Sequence, residues 1–396
     1  MYDRSNSQHL SHGCGTMAKL MMLAVGVLGF RTARADTDWM ILPHASESRR
    51  MLLHGLRDNS KPVSTDVWFD QKGKFPSLRI GSAKSGFVIS GTNTCGVAVI
   101  ASYGDRTSDR NPPNNKHNYT ISNAVNLILR NCKTADQGVR MLQEASRKKL
   151  ISGSMIFLIV DARRAFAVEC SSWHLGSCEL TSGFCVYANV WKLPNMTTAS
   201  LRSPKSRNWM LQREWVVGEM LRRARNSGKT VSVAETFAAS RIGTAEINAK
   251  NFEKAREKGT VNNVPALKTS ADGFLFEIDA EFPAVLSCAY VAFGPPRHTA
   301  YLPIPIGAAD KLPAELTPNP WKAAALARNK SAQPTTPVNP QLIAFENRMR
   351  TEFAKKREEA RRLLRNRQNA EAKTLLQENL QRQAAELENF LKSLGN

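Results

Sequence analysis

Short apolar runs separated by turn residues fill residues 36–312, and this pattern limits the possible folds more than any other feature of the sequence. Runs such as CGVAVIAS, MIFLIVDA and AFAVECSS are rich in Val, Ile and Phe, and Gly, Asp and Ser separate them, which is typical of hairpin strands. Residues 124–146 and 206–228 have helical spacing instead. Hairpin strands with helices inserted in blocks predict an α+β layered domain rather than a parallel doubly wound sheet.

The N-terminal segment, residues 1–35, has the features of a secretory signal peptide. A single lysine precedes an apolar stretch at residues 20–30, which is too short to span a bilayer. Ala33 and Ala35 are small residues suited to cleavage by signal peptidase. We therefore predict an exported protein, periplasmic or secreted, whose mature chain begins with Asp36.

The strongly basic composition favours an anionic partner. The formal net charge is +21, which would attract a cell-envelope surface, although a generally basic compartment explains the charge equally well. The sequence has no zinc-finger spacing and no RNA-binding aromatic motif, so we predict no specific nucleic-acid partner. The histidines lack metal-ligand spacing and no cofactor motif is present, so we predict neither a metal nor a cofactor.

Six cysteines follow the predicted signal peptide, and two interpretations of them stay open. An even number permits disulfides in an exported protein, and Cys178 and Cys185 could face each other across a hairpin. Buried free thiols are the alternative, because cysteine packs as a small apolar residue. The six are Cys95, Cys132, Cys170, Cys178, Cys185 and Cys288.

The composition changes after residue 312. Residues 313–340 are rich in Pro, Ala and Thr, which predicts a linker. Residues 341–396 are charged and carry leucines near heptad spacing, with no Pro or Gly between Leu342 and Leu394, which predicts one long helix. Three interpretations stay open for this segment: a coiled-coil hairpin or oligomerisation helix, docking on the preceding domain, or a solvated charged helix.

Several motifs, in order along residues 36–310, resemble one enzyme family. They are DTDWMILPHASESRRMLLHGLRDNS, SGTNTCGVAVIAS, MIFLIVDARRAFAVE, VYANVW, SPKSRNWML and AYVAFGPPRHTAYLPIPIG. This set is similar to the N-terminal-nucleophile hydrolases that include choloylglycine hydrolase, penicillin V acylase, isopenicillin-N acyltransferase and carcinine hydrolase. The resemblance implies a four-layer αββα sandwich and the cleavage or transfer of a linear amide in a small substrate.

The resemblance also implies a set of site residues. In the family the N-terminal Cys supplies a thiol nucleophile, and its own α-amine is a base suited to neutral pH. The matching positions here are Asp36 for the nucleophile, Asp58 for the acid after the second strand, Asn93 and Asn189 for the oxyanion or substrate contacts, and Arg207 for the later arginine. Asn93 is also compatible with an ordinary hairpin turn.

Two departures from the family pattern leave the function open. Asp36 replaces the nucleophilic Cys, and a carboxylate attacks amides poorly because the product would be a labile anhydride. Gly55 and Leu56 replace the expected basic residue and Asn. We therefore expect an exported amide hydrolase or acyltransferase-like protein with altered or lost catalysis, in which further trimming could make Thr37 the nucleophile. The alternative is a non-catalytic envelope protein that binds a ligand or partner.

Overall fold

Two antiparallel sheets lie at the centre of the computed structural model. The residues that the structure describes are 36–58, 65–108, 118–226, 229–243, 246–247, 264–266, 270–316 and 336–394. The predicted signal peptide lies outside the described residues, and so does most of the predicted linker. Residues 35–396 group into one compact unit.

The described strands divide between a six-stranded and a seven-stranded sheet. They are β1 (Thr37–Ile41), β2 (Met51–Asp58), β3 (Asp66–Asp70), β4 (Ser77–Ser82), β5 (Phe87–Asn93), β6 (Ala98–Tyr103), β7 (Met155–Val160), β8 (Ala165–Cys170), β9 (Leu175–Glu179), β10 (Phe184–Tyr187), β11 (Ser270–Ile278), β12 (Cys288–Ala292) and β13 (Tyr301–Pro305). The six-stranded sheet has the order β10-β1-β2-β11-β12-β13, and the seven-stranded sheet runs from β3 to β9 in chain order. β1 and β2 are neighbouring interior strands of the six-stranded sheet.

Helices cover the outer face of each sheet. They are α1 (Ile121–Asn131), α2 (Ala135–Arg147), α3 (Pro194–Thr197), α4 (Pro204–Asn226), α5 (Val233–Ser240), α6 (Pro283–Leu286), α7 (Pro340–Arg365) and α8 (Asn369–Ser393). α1 and α2 pack on the seven-stranded sheet, whereas α4, α7 and α8 pack on the six-stranded sheet, and the two sheets face each other. This arrangement confirms the predicted α+β class and four-layer αββα sandwich.

The two predicted helical stretches differ from the observed helices in their limits. The stretch predicted at 124–146 is two helices, because Thr134 interrupts it and caps the second one by accepting a hydrogen bond from the Gln137 amide at 3.3 Å. The stretch predicted at 206–228 is a single helix that begins at Pro204, which suits the first turn of a helix. The residues at the helix ends therefore determine where each helix begins and ends, which apolar spacing alone did not show.

The C-terminal segment is helical, as predicted, and it forms the hairpin that the sequence left open, with two helices, α7 and α8, in place of one continuous helix. Arg367 adopts a left-handed conformation (φ 65°), and the Gln368 amide donates to the Leu363 carbonyl at 2.9 Å, which ends α7. The apolar stripe that includes Leu376 and Leu387 is buried. Of the three roles proposed from the sequence, the structure shows docking on the preceding domain.

Buried ion pairs, which we call the ionic seam, fasten this helical hairpin to the six-stranded sheet. Arg241 donates two hydrogen bonds to the Glu346 carboxylate, at 2.8 and 2.6 Å. At the end of β11, Arg357 pairs with Glu277 and Arg361 pairs with Asp279. The seam consists of Arg50, Arg241, Glu277, Asp279, Glu346, Arg357 and Arg361.

The six cysteines of the described chain are free thiols. Cys132, Cys170 and Cys288 are buried, and Cys178 is exposed. The structure therefore favours the free-thiol interpretation over disulfides. Within the described ranges, no helix is both long enough and apolar enough to cross a bilayer.

Candidate functional site

Asp36 lies immediately before β1, beside the end of β2, and is partly exposed. Its Oδ1 accepts a hydrogen bond from the backbone N–H of Asp58 at 3.0 Å. Asn189, which follows β10, lies beside this carboxylate. Burial raises the pKa of Asp36, although the Asp58 N–H, Arg57, Arg213 and Asn189 act in the opposite direction. The structure therefore brings together three predicted site residues: Asp36, Asp58 and Asn189.

Asp58 ends β2 and is held by a buried arginine that the sequence analysis did not select. Arg213 of α4 is fully buried and forms an ion pair with Asp58. Its Nη2 also donates to the Pro265 carbonyl at 2.8 Å, while Ser270 Oγ donates to Asp58 Oδ1 at 2.9 Å. Burial raises the pKa of Asp58 to about 7, against the lowering effect of Arg213. This acid therefore titrates near neutral pH.

Arg207, the arginine selected from the sequence, contacts neither Asp36 nor Asp58 among the hydrogen bonds of the described residues. Its Nη2 donates to the Trp191 carbonyl at 2.7 Å, and its Nη1 lies 3.6 Å from Asp105 Oδ2. Arg207 thus fixes the segment after β10, and the arginine that pairs with Asp58 is Arg213, six residues later on the same helix. The sequence alone did not show whether Arg207 or Arg213 would face Asp58, because the orientation of the predicted helix was unknown.

Asn189 has an unusual backbone that its side chain tolerates. Its φ is +57°, in the left-handed region that Asn enters more readily than most residues. Its Nδ2 donates to the Tyr103 carbonyl at 2.6 Å, and Arg202 donates to the Asn189 carbonyl at 3.1 Å. Asp105, which pairs with Arg202, completes the support. The loop that presents Asn189 to Asp36 is therefore fixed by polar contacts.

Asn93 has a structural role in the β5–β6 hairpin. Its Nδ2 donates to the carbonyls of Leu129 and Cys132 at 3.0 and 2.8 Å. Its Oδ1 accepts from the amides of Cys95 and Val97, both at 3.0 Å. These four bonds use both donors and both acceptor positions of the side chain, so none is left for a substrate. The hairpin-turn interpretation of Asn93 replaces the site prediction.

Thr37 points away from the site. Side chains alternate along β1, so Thr37 and Trp39 share one face, and Trp39 stacks on His54 with ring centroids 3.8 Å apart on the helix-covered side. The Thr37 side chain is fully buried, and its hydroxyl has no hydrogen-bond partner among the described residues. The suggestion that Thr37 serves as the nucleophile is therefore disfavoured by the direction of its side chain.

Asp38 is a second carboxyl that sequence analysis missed. It lies in β1, two residues after Asp36, and is 3% exposed. Ser102 lies on β6 of the facing sheet, and its buried hydroxyl has no hydrogen-bond partner among the described residues. Burial, followed by the charge of Asp36, raises the pKa of Asp38 well above its usual range. The sequence signal was present in the spacing D-x-D. We call Asp36, Asp38 and Asp58 the carboxyl cluster.

Gly55 occupies the position at which the family pattern predicts a basic residue, and the packing around it leaves no space for one. Gly55 is the cross-strand partner of Asp38 and Phe274. A Cβ on Gly55 would lie 2.5 Å from Phe274 Cε2 and 3.1 Å from Ile100 Cδ1. Phe274 therefore occupies the space of a longer side chain, and an arginine or lysine cannot be placed there without moving the ring. Leu56, the second departure, is buried in the apolar core.

The described part of the chain contains no group of three or more His, Cys, Asp or Glu side chains arranged to hold a metal ion. The cations beside the carboxyl cluster are guanidinium groups instead. Arg213 binds Asp58, and Arg57 pairs with Asp272 on the neighbouring β11. The arrangement is suited to binding a polar group and moving protons, with Asp36 as the partly exposed member.

No family model matches the sequence, and no curated protein is similar to it. Solved structures similar to the chain include penicillin V acylase from Agrobacterium tumefaciens, with 12% identity, a TM-score of 0.35, and coverage of 65% of this chain and 86% of that one. A mutant of conjugated bile acid hydrolase from Clostridium perfringens has 10% identity, a TM-score of 0.43, and coverage of 69% and 92%. An N-acylethanolamine-hydrolyzing acid amidase orthologue from Caenorhabditis elegans has 10% identity, a TM-score of 0.37, and coverage of 60% and 91%.

Proposed function

We propose that the protein is an exported amide hydrolase-like protein in which a carboxylate-activated water replaces the thiol nucleophile. The observation that carries the proposal is the position of Asp36, the partly exposed carboxyl bound to the Asp58 amide. Burial raises the pKa of both acids, and a carboxylate with a raised pKa is a stronger general base than an ordinary carboxylate. The proposed substrate is a small linear amide.

The proposed reaction needs no covalent bond to the protein. Asp36 takes a proton from water while the water oxygen attacks the carbonyl carbon of the amide. The C–N bond then breaks, and the nitrogen leaves as an amine after taking the proton from Asp36. The products are a carboxylic acid and an amine. The Asn189 side chain lies beside Asp36 and would position the water or the amide.

A second candidate is a non-catalytic protein that binds an amide-bearing ligand or a partner at the cell envelope. Phe274 favours this candidate, because it fills the space beside Gly55 where relatives place a basic residue. The net charge of +21 would assist attachment to an anionic envelope surface in either case. The leucine stripe of α8 is buried within the chain, so self-association through it would require undocking.

The test combines identification of the mature N-terminus with a panel of chromogenic linear amides. Intact mass and N-terminal sequencing of the secreted protein should place Asp36 first. Asp36→Asn should reduce turnover by about 100-fold or more, the usual contribution of a general base. Asp310→Asn, at an exposed position in the 3₁₀ segment 306–311, is the matched control and should retain turnover.

Three outcomes would contradict the proposal. Full turnover by Asp36→Asn would exclude Asp36 as the base. A mature chain that begins at Thr37 and hydrolyses amides would mean that a threonine nucleophile is used. Ligand binding without turnover, retained in Asp36→Asn, would favour the non-catalytic candidate, and a gain of turnover in Asp36→Cys would then show that the pocket still accepts amides.

A further inference from the structure

We propose that ordered water molecules bind along a row of buried polar side chains between the two sheets, which we call the polar row. Its members are Ser90 and Thr92 on β5, Ser102 on β6, and the Asn189 side chain beside the end of β6. The inference goes beyond the proposed function and does not depend on it, because bound water can be measured without any substrate.

The members of the polar row on β5 and β6 share one face of the seven-stranded sheet. Ser90 is the cross-strand partner of Ile100, and residues opposite each other on paired strands lie on the same face. Thr92 and Ser102 each lie two residues from this pair on their own strands, so they point the same way. Ile100 identifies the face, because its Cδ1 lies 3.1 Å from the Cβ position of Gly55 on the facing sheet.

The residue between the two β5 hydroxyls gives independent support for this direction. Gly91 separates Ser90 from Thr92, and a Cβ on Gly91 would lie 2.7 Å from Leu129 of α1. Successive side chains of a strand alternate between its faces, so Gly91 marks the helix-covered face and both hydroxyls point to the other one. The polar row therefore lies in the layer between the sheets.

The three hydroxyls of the polar row are buried without a protein partner. Ser90 and Thr92 are fully buried and Ser102 is 3% exposed, and their hydroxyl oxygens have no hydrogen-bond partner among the described residues. A buried hydroxyl without a hydrogen bond is costly, so such groups are almost always paired with protein or with ordered water. Three of them on one strand face indicate a shared layer of bound water.

Asn189 places the outer end of the polar row at the candidate site. Its Nδ2 donates to the carbonyl of Tyr103, the residue after Ser102, at 2.6 Å. Asn189 is 2% exposed, and its Oδ1 is buried with no hydrogen-bond partner within the described chain. A water at this position would donate to Oδ1. Because Asn189 lies beside Asp36, the polar row runs inward from the partly exposed acid.

The spacing of the polar row suits bridging waters. Ser90 and Thr92 are two residues apart, which is about 6.6–6.8 Å along a strand, and Ser102 is the diagonal neighbour of Ser90, at about 7–8 Å. Two hydrogen bonds through one water span about 5.6 Å, so one or two waters link adjacent members. Ala98, the cross-strand partner of Thr92, is small and leaves space beside that hydroxyl.

Asp38 supplies further acceptors from the facing sheet. It is the cross-strand partner of Gly55, so its side chain points into the same layer as Ile100. Asp38 is 3% exposed and forms no ion pair among the described residues. A buried water typically makes about three hydrogen bonds, and hydroxyls on one sheet with a carboxyl on the other provide that number.

The outermost water of the polar row has a consequence for catalysis, and this consequence alone rests on the proposed function. A water that donates to Asn189 Oδ1 lies beside the Asp36 carboxyl. It would be the water from which Asp36 takes a proton before the attack on the amide.

A crystal structure at a resolution that shows ordered waters tests the proposal directly. We expect waters within about 3.2 Å of the hydroxyl oxygens of Ser90, Thr92 and Ser102, and of Asn189 Oδ1. Direct hydrogen bonds from these atoms to protein groups would overturn the proposal. So would density for an organic molecule in their place, or no density beside them where other buried waters are visible.

Substitutions that nearly keep the shape of the side chain give an independent test with opposite signs for a wet and a dry layer. Thr92→Val and Ser90→Ala should each lower the equilibrium constant for folding about 5-fold, because a hydrogen bond to bound water is lost. In a dry layer they should raise it, because an unpaired hydroxyl leaves an apolar site. Ser85→Ala, at an exposed turn position, is the control, with an expected change under about 2-fold.

Both measurements are separate from the proposed function. A rise in the equilibrium constant for folding in both Thr92→Val and Ser90→Ala would overturn the water layer. If a variant does not fold, the crystal structure of the unaltered protein still decides the proposal. Absence of amide turnover would count against the proposed function alone, because neither measurement uses a substrate.

Discussion

The carboxyl cluster and the ionic seam contain the same kinds of groups at the same depth but have opposite electrostatics. Asp38 and Asp58 are both 3% exposed, and Glu277 and Asp279 in the seam are 2% and 1% exposed. Burial therefore does not distinguish them. In the seam the pKa values of both acids are lowered, whereas in the cluster they are raised.

The difference lies in the supply of guanidinium groups. Burial raises the pKa of Asp279, but its bond with Arg361 and the charge of Arg357 outweigh burial, and Arg50 adds a hydrogen bond at 3.1 Å. Within the described residues of the cluster, Asp58 forms an ion pair with one guanidinium, that of Arg213, and Asp38 forms none. Fully paired acids serve as structural anchors, and underpaired acids that titrate near neutral pH are typical of functional sites.

The largest expected effect is the loss of a seam arginine. Arg241→Met leaves the buried Glu346 carboxylate without its bidentate partner, which should reduce the free energy of unfolding by about 3–5 kcal/mol in urea denaturation. Lys392→Ala removes an exposed pair with Glu388 and serves as the control, with an expected change under about 0.5 kcal/mol. A loss below about 1 kcal/mol for Arg241→Met would mean that the seam does not anchor the hairpin.

The second prediction uses the pH dependence of stability to distinguish the carboxyl cluster from the ionic seam. The folded-state pKa of Asp38 is raised, so its contribution to stability is complete below the unfolded pKa and declines as pH rises. The Asp38→Asn variant has no carboxyl at this position, so its stability does not decline in this way. Its free energy of unfolding, relative to that of the wild type, should therefore increase between pH 4 and pH 8, by at most about 1.4 kcal/mol per pH unit. Free energies of unfolding at the two pH values provide the measurement.

Asp279→Asn is the counterpart of that experiment in the seam. The folded-state pKa of Asp279 is lowered, so its contribution is present above the unfolded pKa and is lost as pH falls. The variant should therefore be less stable than the wild type at pH 7, and the difference should shrink below about pH 4. Parallel pH trends in Asp38→Asn and Asp279→Asn would remove the distinction between the two regions.

A third prediction concerns the apolar wall beside Asp38. Gly55→Ala places a Cβ 2.5 Å from the Phe274 ring, which should cost about 1–3 kcal/mol of stability, and Phe274→Leu in the same chain should recover part of it. Gly218→Ala in α4 is the control, since its Cβ meets only the flexible end of Arg222 at 3.3 Å. An unchanged stability in Gly55→Ala would mean that Phe274 moves freely and leaves room for a longer side chain.

The smallest expected effect is at the exposed side of the hairpin. Arg382 pairs with Glu352 across α7 and α8 at 2.9 Å, and its side chain is 46% exposed. Arg382→Ala should cost about 0.2–1 kcal/mol, and less in 1 M salt, because exposed charges are screened. If Arg382→Ala instead lost as much free energy of unfolding as Arg241→Met, and the loss did not depend on salt, then solvent exposure would not explain the difference between surface ion pairs and the ionic seam.

Local patterns predicted much of the fold. Alternating β-rich runs and helical spacing predicted an α+β layered domain, because each pattern marks the face that an element buries, and the family resemblance added the αββα order. The same patterns predicted the helical C-terminal segment but not the position of its break, because the turn at Arg367 depends on a left-handed residue within an otherwise uninterrupted helical composition. It also left the role of Asn93 open until the carbonyls of α1 were placed beside it.

The family resemblance in the sequence predicted Asp36, Asp58 and Asn189 as members of one site, and the structure places the three close together. Only the tertiary structure selected Arg213, which contacts Asp58 across 155 residues of sequence, and only it placed Phe274 over Gly55. The physical reason is that strand and helix periodicity encodes which face a residue occupies. The charge and packing that decide its chemistry come from elements distant in the chain.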